Sequence, residues 1–437
     1  MKKFLILLLP MCLTACNASE ESPAEQQAIQ ENQQCSFRTT AEAISIANEA
    51  GKALPSISRS VKTVDKVYVI GNSHSRSTSA EPVLYAVDYS NNEGFALISA
   101  NRACEPLLAL IEEGSFYDEQ TQSNEPFQTT MGNIMAYSIN PGGNPGDDGP
   151  ITIMPGFKID TTYSTEIYGP RVQVAWNQGW PENKYAPNSL AGCGPVAMAQ
   201  MLSYYETPST LPITFSGAPV SSVQLDWNAM RKHSRSYQNY DHYSCQASEQ
   251  AHEMISLLVR QMGELAGSVY NPIDNVVDKG TSTRDLPMEV ALRSLLPSKR
   301  HCPGNGDERL FYWVSQKNIA TVSGNAYSED GHTKEASHIW LADGAMRRTT
   351  TITYREPEMN EITGQIEYNA TQVRNYVSKY IHYNWGWGGS CNGYFKEGIF
   401  NPTMGSQYDQ HGNPSASYND TYITTYVYYA DPDQVDF

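Results

Sequence analysis

The chain has 437 residues, of which 40% are hydrophobic, so it is long enough for two or three domains with packed cores and is not expected to be disordered. Its formal net charge of −17 at pH 7 repels phosphate backbones and argues against nucleic acid as a partner. Its 28 tyrosines against 11 phenylalanines are typical of β-rich packing, in which ring bodies are buried and hydroxyl groups reach polar partners.

Residues 1–16 have the pattern of an export signal. Lys2 and Lys3 precede an apolar run that is too short to span a membrane. The run ends in Leu-Thr-Ala-Cys16, which resembles the lipobox of bacterial lipoproteins and implies cleavage before Cys16 and acylation of that residue. Because Asn17 is not the aspartate that often retains lipoproteins at the inner membrane, we expect a cell-envelope lipoprotein of the outer membrane. The alternative is an ordinary signal peptide in which Cys16 is incidental.

A polar tether and then a small α+β domain are predicted next. Residues 17–34 are rich in Glu and Gln, which is typical of a flexible segment. Residues 35–140 are predicted to fold, and Thr40 is predicted to cap their first helix. The predicted elements are helices over Ala41–Ala53 and Gln128–Ile139 and strands over Lys66–Ile70, Leu84–Tyr89 and Gly94–Ala100.

A change of composition marks the boundary to a larger domain. Residues 141–157 contain repeated Pro and Gly, so this stretch is predicted to be an exposed linker that proteases can cut. Residues 158–437 have a helix-rich first half and a β-rich second half, which predicts the α+β class. The predicted elements are helices beginning at Cys193 and over Ser248–Ala266 and strands over Ser337–Ala342, Thr349–Tyr354, Tyr380–Tyr383 and Tyr422–Tyr429.

The eight cysteines favour an oxidising compartment but do not fix a disulfide pattern. Cys35 with Cys104 and Cys245 with Cys302 are one possible set of bridges, which would leave Cys391 over. The sequence contains no CxxC pair and no HExxH motif, so it predicts no metal site, and nothing in it calls for an organic cofactor.

The segment Ala-Gly-Cys193-Gly-Pro places a cysteine between a glycine turn and a helix. The N-terminus of a helix offers unpaired amides and a partial positive charge, which favour the nucleophilic thiolate. Gly192 allows the backbone to approach a substrate closely, and Pro195 suits the first helical turn. The alternative is a buried structural cysteine. One apolar face of this helix is predicted from Met198, Met201, Leu202 and Tyr205.

Three further residues complete a Cys-His constellation. The amide of Gln178 can donate to an oxyanion together with the backbone N–H of the cysteine. His338 lies on a predicted strand and can accept the thiol proton and later protonate the leaving amine. Asn384 is the natural third member, because a side-chain amide can hold the imidazole in orientation.

These segments resemble the streptopain-type cysteine peptidases of the papain-like clan. The resemblance depends on three motifs, which are AGC followed by AMAQMLSYY, then HIWLADG, and then YIHYNWGWGGSCNGYF. The resemblance implies Cys193 as nucleophile, His338 as base, Gln178 as oxyanion donor and Asn384 as the orienting residue. It also implies that Trp385 shields the His–Asn contact from water, and we expect Gly192, Trp385 and Trp387 to form walls of the site.

The N-terminal domain resembles the prodomain of the same family, most clearly in GFALISANRACEPLLALIEEGSF. The expected fold is therefore a papain-like peptidase domain, residues 158–437, preceded by a small α+β inhibitory prodomain, residues 35–140. The expected activity is hydrolysis of proteins or peptides after prodomain removal, with possible release of the mature domain from its anchor. Residues 345–379 are predicted to be an inserted hairpin, because His338 and Asn384 are farther apart than the family leads us to expect.

Two alternatives to this hypothesis stay open at the level of sequence. A lipoprotein cell-wall amidase of the Cys-His type would use the same pair of residues but would lack the Asn-Trp-Gly-Trp motif. A catalytically inactive binding protein on the same fold would have no chemical need for all four site residues.

Overall fold

The structure is a computed structural model that describes residues 37–54, 61–71, 81–139, 158–233, 247–271, 280–297, 299–304, 307–327, 334–360, 362–399 and 418–429. The chain divides into two units, Met1–Phe37 and Arg38–Phe437, and the second contains both of the regions described below. The export signal with Cys16, the tether and the linker lie outside the described residues, as do Cys35 and Cys245. The predictions made for these segments, including both disulfide bridges, therefore stay predictions.

Residues 38–139, called the N-terminal region below, form a four-stranded antiparallel meander with helices. The first helix begins after Thr39, whose side chain accepts a hydrogen bond from Glu42 N, while the Glu42 carboxylate accepts one from Thr39 N. The cap is thus one residue earlier than predicted, because Glu42 completes a capping box only with Thr39. The elements are α1 (Thr40–Gly51), β1 (Val64–Gly71), β2 (Pro82–Tyr89), β3 (Phe95–Ser99), β4 (Leu107–Ile111), α2 (Glu119–Ser123) and α3 (Glu125–Ile139).

Residues 158–429, called the C-terminal region below, begin with helices and continue with long strands, in agreement with the predicted α+β class. The predicted helix after Ser248 is present, and the Ser248 side chain caps it by accepting a hydrogen bond from Ala251 N. The elements are β5 (Lys158–Tyr168), α4 (Cys193–Tyr205), β6 (Thr210–Pro212), β7 (Ser222–Gln224), α5 (Trp227–Arg231), α6 (Glu249–Leu265), β8 (Val269–Tyr270), β9 (Thr281–Ser282), α7 (Asp285–Leu295), β10 (Lys299–Gly304), α8 (Asp307–Ser315), β11 (Ile319–Tyr327), β12 (Lys334–Met359), β13 (Ile366–Asn384), β14 (Gly393–Lys396) and β15 (Tyr418–Tyr429).

One antiparallel sheet continues through both regions. Eleven of the described strands form it, in the order β1-β2-β3-β4-β14-β13-β12-β11-β15-β10, with β5 paired to β12. The junction is the pairing of β4 with β14, in which Leu110 lies opposite Tyr394. The two regions are therefore joined by backbone hydrogen bonds as well as by side-chain packing.

The predicted insertion over residues 345–379 is the outer part of the β12–β13 hairpin. The predicted strands over Ser337–Ala342 and Thr349–Tyr354 are parts of the single strand β12. Strand β5 adds a third strand to this arm, with Tyr168 opposite Ala345 and Lys158 opposite Arg355. The chain that follows the linker is consequently fixed to the arm along its whole first strand.

Two hydrophobic clusters hold the molecule together. The first joins the N-terminal region to the sheet of the C-terminal region and includes Phe127 and Met131 of α3 together with Trp340 and Trp385. The second surrounds helix α4. The prediction of one apolar face on α4 is incomplete, because every residue from Gly194 to Ser203 is buried. A helix that is buried on all sides is a central element of a large core.

Candidate active site

Helix α4 begins at the predicted nucleophile, Cys193, which is half-buried. Gly192 precedes it with φ of 93°, a left-handed conformation that other residues rarely adopt. A Cβ atom at Gly192 would lie 2.6 Å from Cγ2 of Thr281 in strand β9, so the turn has no room for a side chain. The sulfur atom therefore lies at the N-terminal end of a long buried helix, where unpaired amides and the helix dipole favour a thiolate.

The segment of Gln178 is held beside the turn of Cys193 by backbone contacts. The carbonyl oxygen of Gln178 accepts a hydrogen bond of 3.0 Å from Ala191 N. Two residues earlier, the indole of the fully buried Trp176 donates to His233 O at 2.8 Å. Because these bonds fix the chain at and before Gln178, the backbone of Gln178 lies next to the nucleophile turn, and its side chain is half-buried.

His338 is buried in strand β12 beside two tryptophans that contact each other. Its ring is stacked on Trp340 at a centroid distance of 6.0 Å, and the ring of Trp385 lies at 6.5 Å. Its Nε2 atom lies 2.7 Å from the carbonyl oxygen of Trp385. A carbonyl can only accept, so Nε2 carries the hydrogen and Nδ1 of the neutral ring is an acceptor. Burial lowers the pKa of His338 to about 4, so the ring is a neutral base at pH 7.

The side chain of Asn384, predicted to orient the imidazole, has other partners in the structure. Its Nδ2 donates to Val174 O at 3.1 Å, and its Oδ1 accepts from Gly386 N at 3.1 Å and from Gln200 Nε2 at 3.3 Å. The carbonyl oxygen of the next residue, Trp385, occupies the position beside His338. Asn384 instead joins its loop to the segment that leads to Gln178.

Gln200 is a site residue that sequence reasoning missed. It is fully buried on helix α4, about two turns after Cys193. Its Oε1 accepts from Trp176 N at 3.0 Å, and its Nε2 donates to Asn384 Oδ1. One side chain thus connects the nucleophile helix, the Gln178 segment and the asparagine loop. The sequence signal was a single amide in an otherwise apolar helix.

The two predicted wall tryptophans differ in position. Trp385 is fully buried, and its indole donates to Cys391 O at 2.9 Å. It is therefore a core residue next to the site and does not line the surface of the site. Trp387 is partly buried and packs against the cluster that joins the two regions.

A second imidazole lies close to this site. His382, two residues before Asn384, has its Nδ1 at 2.6 Å from Oδ1 of Asp343, the residue that follows the histidine strand segment. Among the described residues, no group of three His, Cys, Asp or Glu side chains could hold a metal ion. No helix of these residues has the length and apolar character needed to cross a membrane.

Family models and solved structures match parts of the chain. The model of the Peptidase C10 family matches residues 174–395, and the model of the Spi protease inhibitor matches residues 35–137. Among solved structures, a fragment of Prevotella intermedia prointerpain A with a cysteine-to-alanine substitution is 17% identical, with a TM-score of 0.45, and the match covers 83% of this chain and 98% of that one. Active interpain A of the same organism is 18% identical, with a TM-score of 0.36, and the match covers 60% and 93%.

No curated protein matches the chain. The family match covers half of the chain and contains Gln178, Cys193, His338 and Asn384. The chain therefore belongs to the Peptidase C10 family, the streptopain family, and is a cysteine peptidase with a Spi-type inhibitor prodomain before its peptidase domain.

Proposed function

We propose that the protein is an endopeptidase zymogen that becomes active when its prodomain, the N-terminal region, is removed by cleavage in the linker over residues 141–157. The observation that carries this proposal is the shared hydrophobic cluster. Both tryptophans beside His338 belong to the cluster that includes Phe127 and Met131 of the N-terminal region. Residues of the prodomain therefore pack in the same hydrophobic core as the two tryptophans beside the catalytic base.

The proposed reaction is acyl transfer through a thioester. Cys193 gives its thiol proton to Nδ1 of His338, and the sulfur attacks the carbonyl carbon of the scissile peptide bond. The oxyanion that forms is stabilised by the side-chain amide of Gln178 and the backbone N–H of Cys193. His338 returns the proton to the leaving amine as the C–N bond breaks, and water then hydrolyses the thioester to free the acid and the thiol.

The protonation state of His338 supports latency of the precursor. Burial holds the pKa of His338 at about 4, which disfavours the imidazolium that must accompany a thiolate. Removal of the prodomain would expose the cluster around Trp340 and Trp385 and let water approach the ring. The pKa of His338 would then rise toward the ordinary value, and the thiolate–imidazolium pair would become accessible.

Export and anchoring are part of the proposal and depend on the sequence alone. Residues 1–16 resemble a lipoprotein signal, so we propose that Cys16 anchors the precursor at the outer membrane of a bacterium. Cleavage in the linker would free the peptidase domain from the anchor once the prodomain dissociates. Radiolabelled palmitate on the parent chain, and its absence from a Cys16→Ala variant, is the expected result.

The test of the peptidase function compares the precursor with a Cys193→Ala variant under mild reducing conditions. We expect new N-termini between residues 140 and 160 and hydrolysis of an unstructured protein such as casein, with both absent from the variant. An uncut precursor that is already fully active would contradict the role of the prodomain. Turnover of peptidoglycan peptides without protein hydrolysis would favour the amidase alternative, and no turnover of either substrate would favour the inactive binding protein.

A further inference from the structure

A buried histidine of the C-terminal region lies between two carboxylates, one from each region. His382 of strand β13 is only 2% exposed. On one side its Nδ1 lies 2.6 Å from Oδ1 of Asp343. The other oxygen of Asp343, Oδ2, accepts from the backbone N–H groups of Arg171 at 3.1 Å and Val172 at 2.9 Å. Asp343 is therefore a fixed acceptor, and His382 donates to it through Nδ1.

The second carboxylate comes from the prodomain. Oε2 of Glu112 lies 3.4 Å from Nε2 of His382. Glu112 directly follows strand β4, and its backbone N–H donates to Asn392 O at 3.1 Å, which continues the pairing of β4 with β14. The register of two paired strands thus places this side chain over the histidine. A shift by one residue would turn the carboxylate to the other face of the sheet.

The contact borders a cavity between the regions. The cavity has a volume of about 130 Å³, and its lining includes Glu112, Glu113, Val174, His382 and Asn384. Apart from the ion pair with Glu112, Nε2 of His382 makes no hydrogen bond to any of the described residues. A buried N–H that nothing compensates is costly, and the Glu112 carboxylate, 3.4 Å away, is the group that offsets the charge at this nitrogen.

The charges around His382 make it a cation while the prodomain is docked. Burial alone would lower its pKa, but Asp343 and Glu112 outweigh burial and raise the pKa of His382 to about 10. The ring of Tyr394 packs edge-on against it at 5.0 Å, and the guanidinium of Arg171 lies on the far side of Asp343, donating to Asp343 O at 3.1 Å. Asp343 and Glu112 both favour the imidazolium, and one of these two carboxylates leaves with the prodomain.

We propose that His382 is the receptor by which the peptidase domain recognises its prodomain, and that the partner it fits is an extended edge strand with a carboxylate directly after its last paired residue. Glu112 is that carboxylate in this chain. The apolar cluster joins the two regions, whereas the Glu112–His382 pair fixes the register of docking and slows dissociation. This inference rests on the proposed function of the N-terminal region as an inhibitory prodomain.

The test uses the full chain with Cys193→Ala, in which a recognition site for an added protease replaces part of the linker over residues 141–157. The linker is cut, and the rate at which the prodomain dissociates is measured by size-exclusion chromatography, at a urea concentration at which the parent complex dissociates within hours. We expect Glu112→Gln to increase this rate about tenfold, which corresponds to about 1.4 kcal/mol. Glu113→Gln, a change of the adjacent carboxylate at the same cavity, is the matched control and should behave like the parent.

A double-mutant cycle decides whether the effect passes through the histidine. In a His382→Gln background, Glu112→Gln should cause no further acceleration, because the receptor is already lost. Equal effects of Glu112→Gln and Glu113→Gln, or a full effect of Glu112→Gln in the His382→Gln background, would overturn the proposal. The measurement needs no peptidase activity, so a protein without protease function would still give a clear result for this contact.

Discussion

Replacement of Gln200 by Met tests whether one buried amide connects the three parts of the active site. The change keeps the length of the side chain but removes the acceptor for Trp176 N and the donor to Asn384 Oδ1. A buried N–H that loses its partner costs about 1–3 kcal/mol, and the lost donor costs about another 0.5–1.5 kcal/mol. If misplacement of Gln178 and Asn384 raises the activation free energy by about 2 kcal/mol, kcat/KM falls about 30-fold.

A second substitution at Gln200 gives a signal that a merely structural role would not produce. In Gln200→Glu, the protonated carboxylic acid can accept from Trp176 N and donate to Asn384 Oδ1, as the amide does. Burial raises the pKa of a carboxyl group, so this variant should keep much of its activity in mild acid and lose it as the pH rises and the group ionises. The Gln200→Met variant should instead show an equal loss relative to the parent at every pH.

The assay is kcat/KM of the matured enzyme on a fluorogenic peptide between pH 5 and 8. Ser203→Ala is the control on the same helix. Within the described residues, the buried Ser203 hydroxyl donates to the backbone carbonyl of Gln200 in its own helix and does not reach either loop. We expect its kcat/KM to stay within about threefold of the parent, in keeping with the small net value of one hydrogen bond. Parent-like activity of Gln200→Met, or a Gln200→Glu variant without pH dependence, would refute the reasoning.

Three further predictions concern stability and the nucleophile turn. Burial holds the pKa of His338 at about 4, against 6.5 in the unfolded chain. The Cys193→Ala precursor should therefore lose up to about 3 kcal/mol of unfolding free energy as the pH falls from 6.5 toward 4. Urea unfolding of a precursor that also carries His338→Gln should show no such loss. The pKa of His382 is raised to about 10, so its contribution is present below pH 6.5 and lost as the pH rises toward 10; a His382→Gln variant with the same alkaline loss as the parent would contradict this. Gly192→Ala should lower kcat/KM at least tenfold, since its Cβ would lie 2.6 Å from a threonine methyl group. The control is Gly364→Ala, where φ is 67° and no atom lies within 4 Å of the new Cβ. This control should cost about 1–2 kcal/mol of stability and leave kcat/KM unchanged.

The features that sequence predicted best are those with a local physical cause. The start of helix α4 at Cys193 follows from a glycine turn and the apolar run behind it, and the strands around His338 and Asn384 follow from β-branched and aromatic residues. The cap of the first helix is Thr39 and not the predicted Thr40, because threonine is an equally good cap at both positions and only the spacing to Glu42 decides between them.

The features that sequence could not predict depend on contacts between distant parts of the chain. The pairing of β4 with β14 joins Leu110 to Tyr394, and no periodicity indicates which strands meet. The partner of His338 is a backbone carbonyl of Trp385, an atom that every residue has and that no motif can reveal. The role of Gln200 likewise depends on two loops that reach its helix only in the folded chain.

The junction of β4 and β14 has a consequence for the enzyme after maturation. While the prodomain is docked, Gly393–Lys396 is an interior strand with partners on both sides. Loss of the prodomain would turn it into a border of the sheet with unpaired backbone groups, the kind of border on which proteins stick to one another. With only four residues and a lysine at its end, this border is short and charged, which are the two devices that natural sheets use to resist self-association. We expect this short, charged border to limit self-association of the peptidase domain once the prodomain has left.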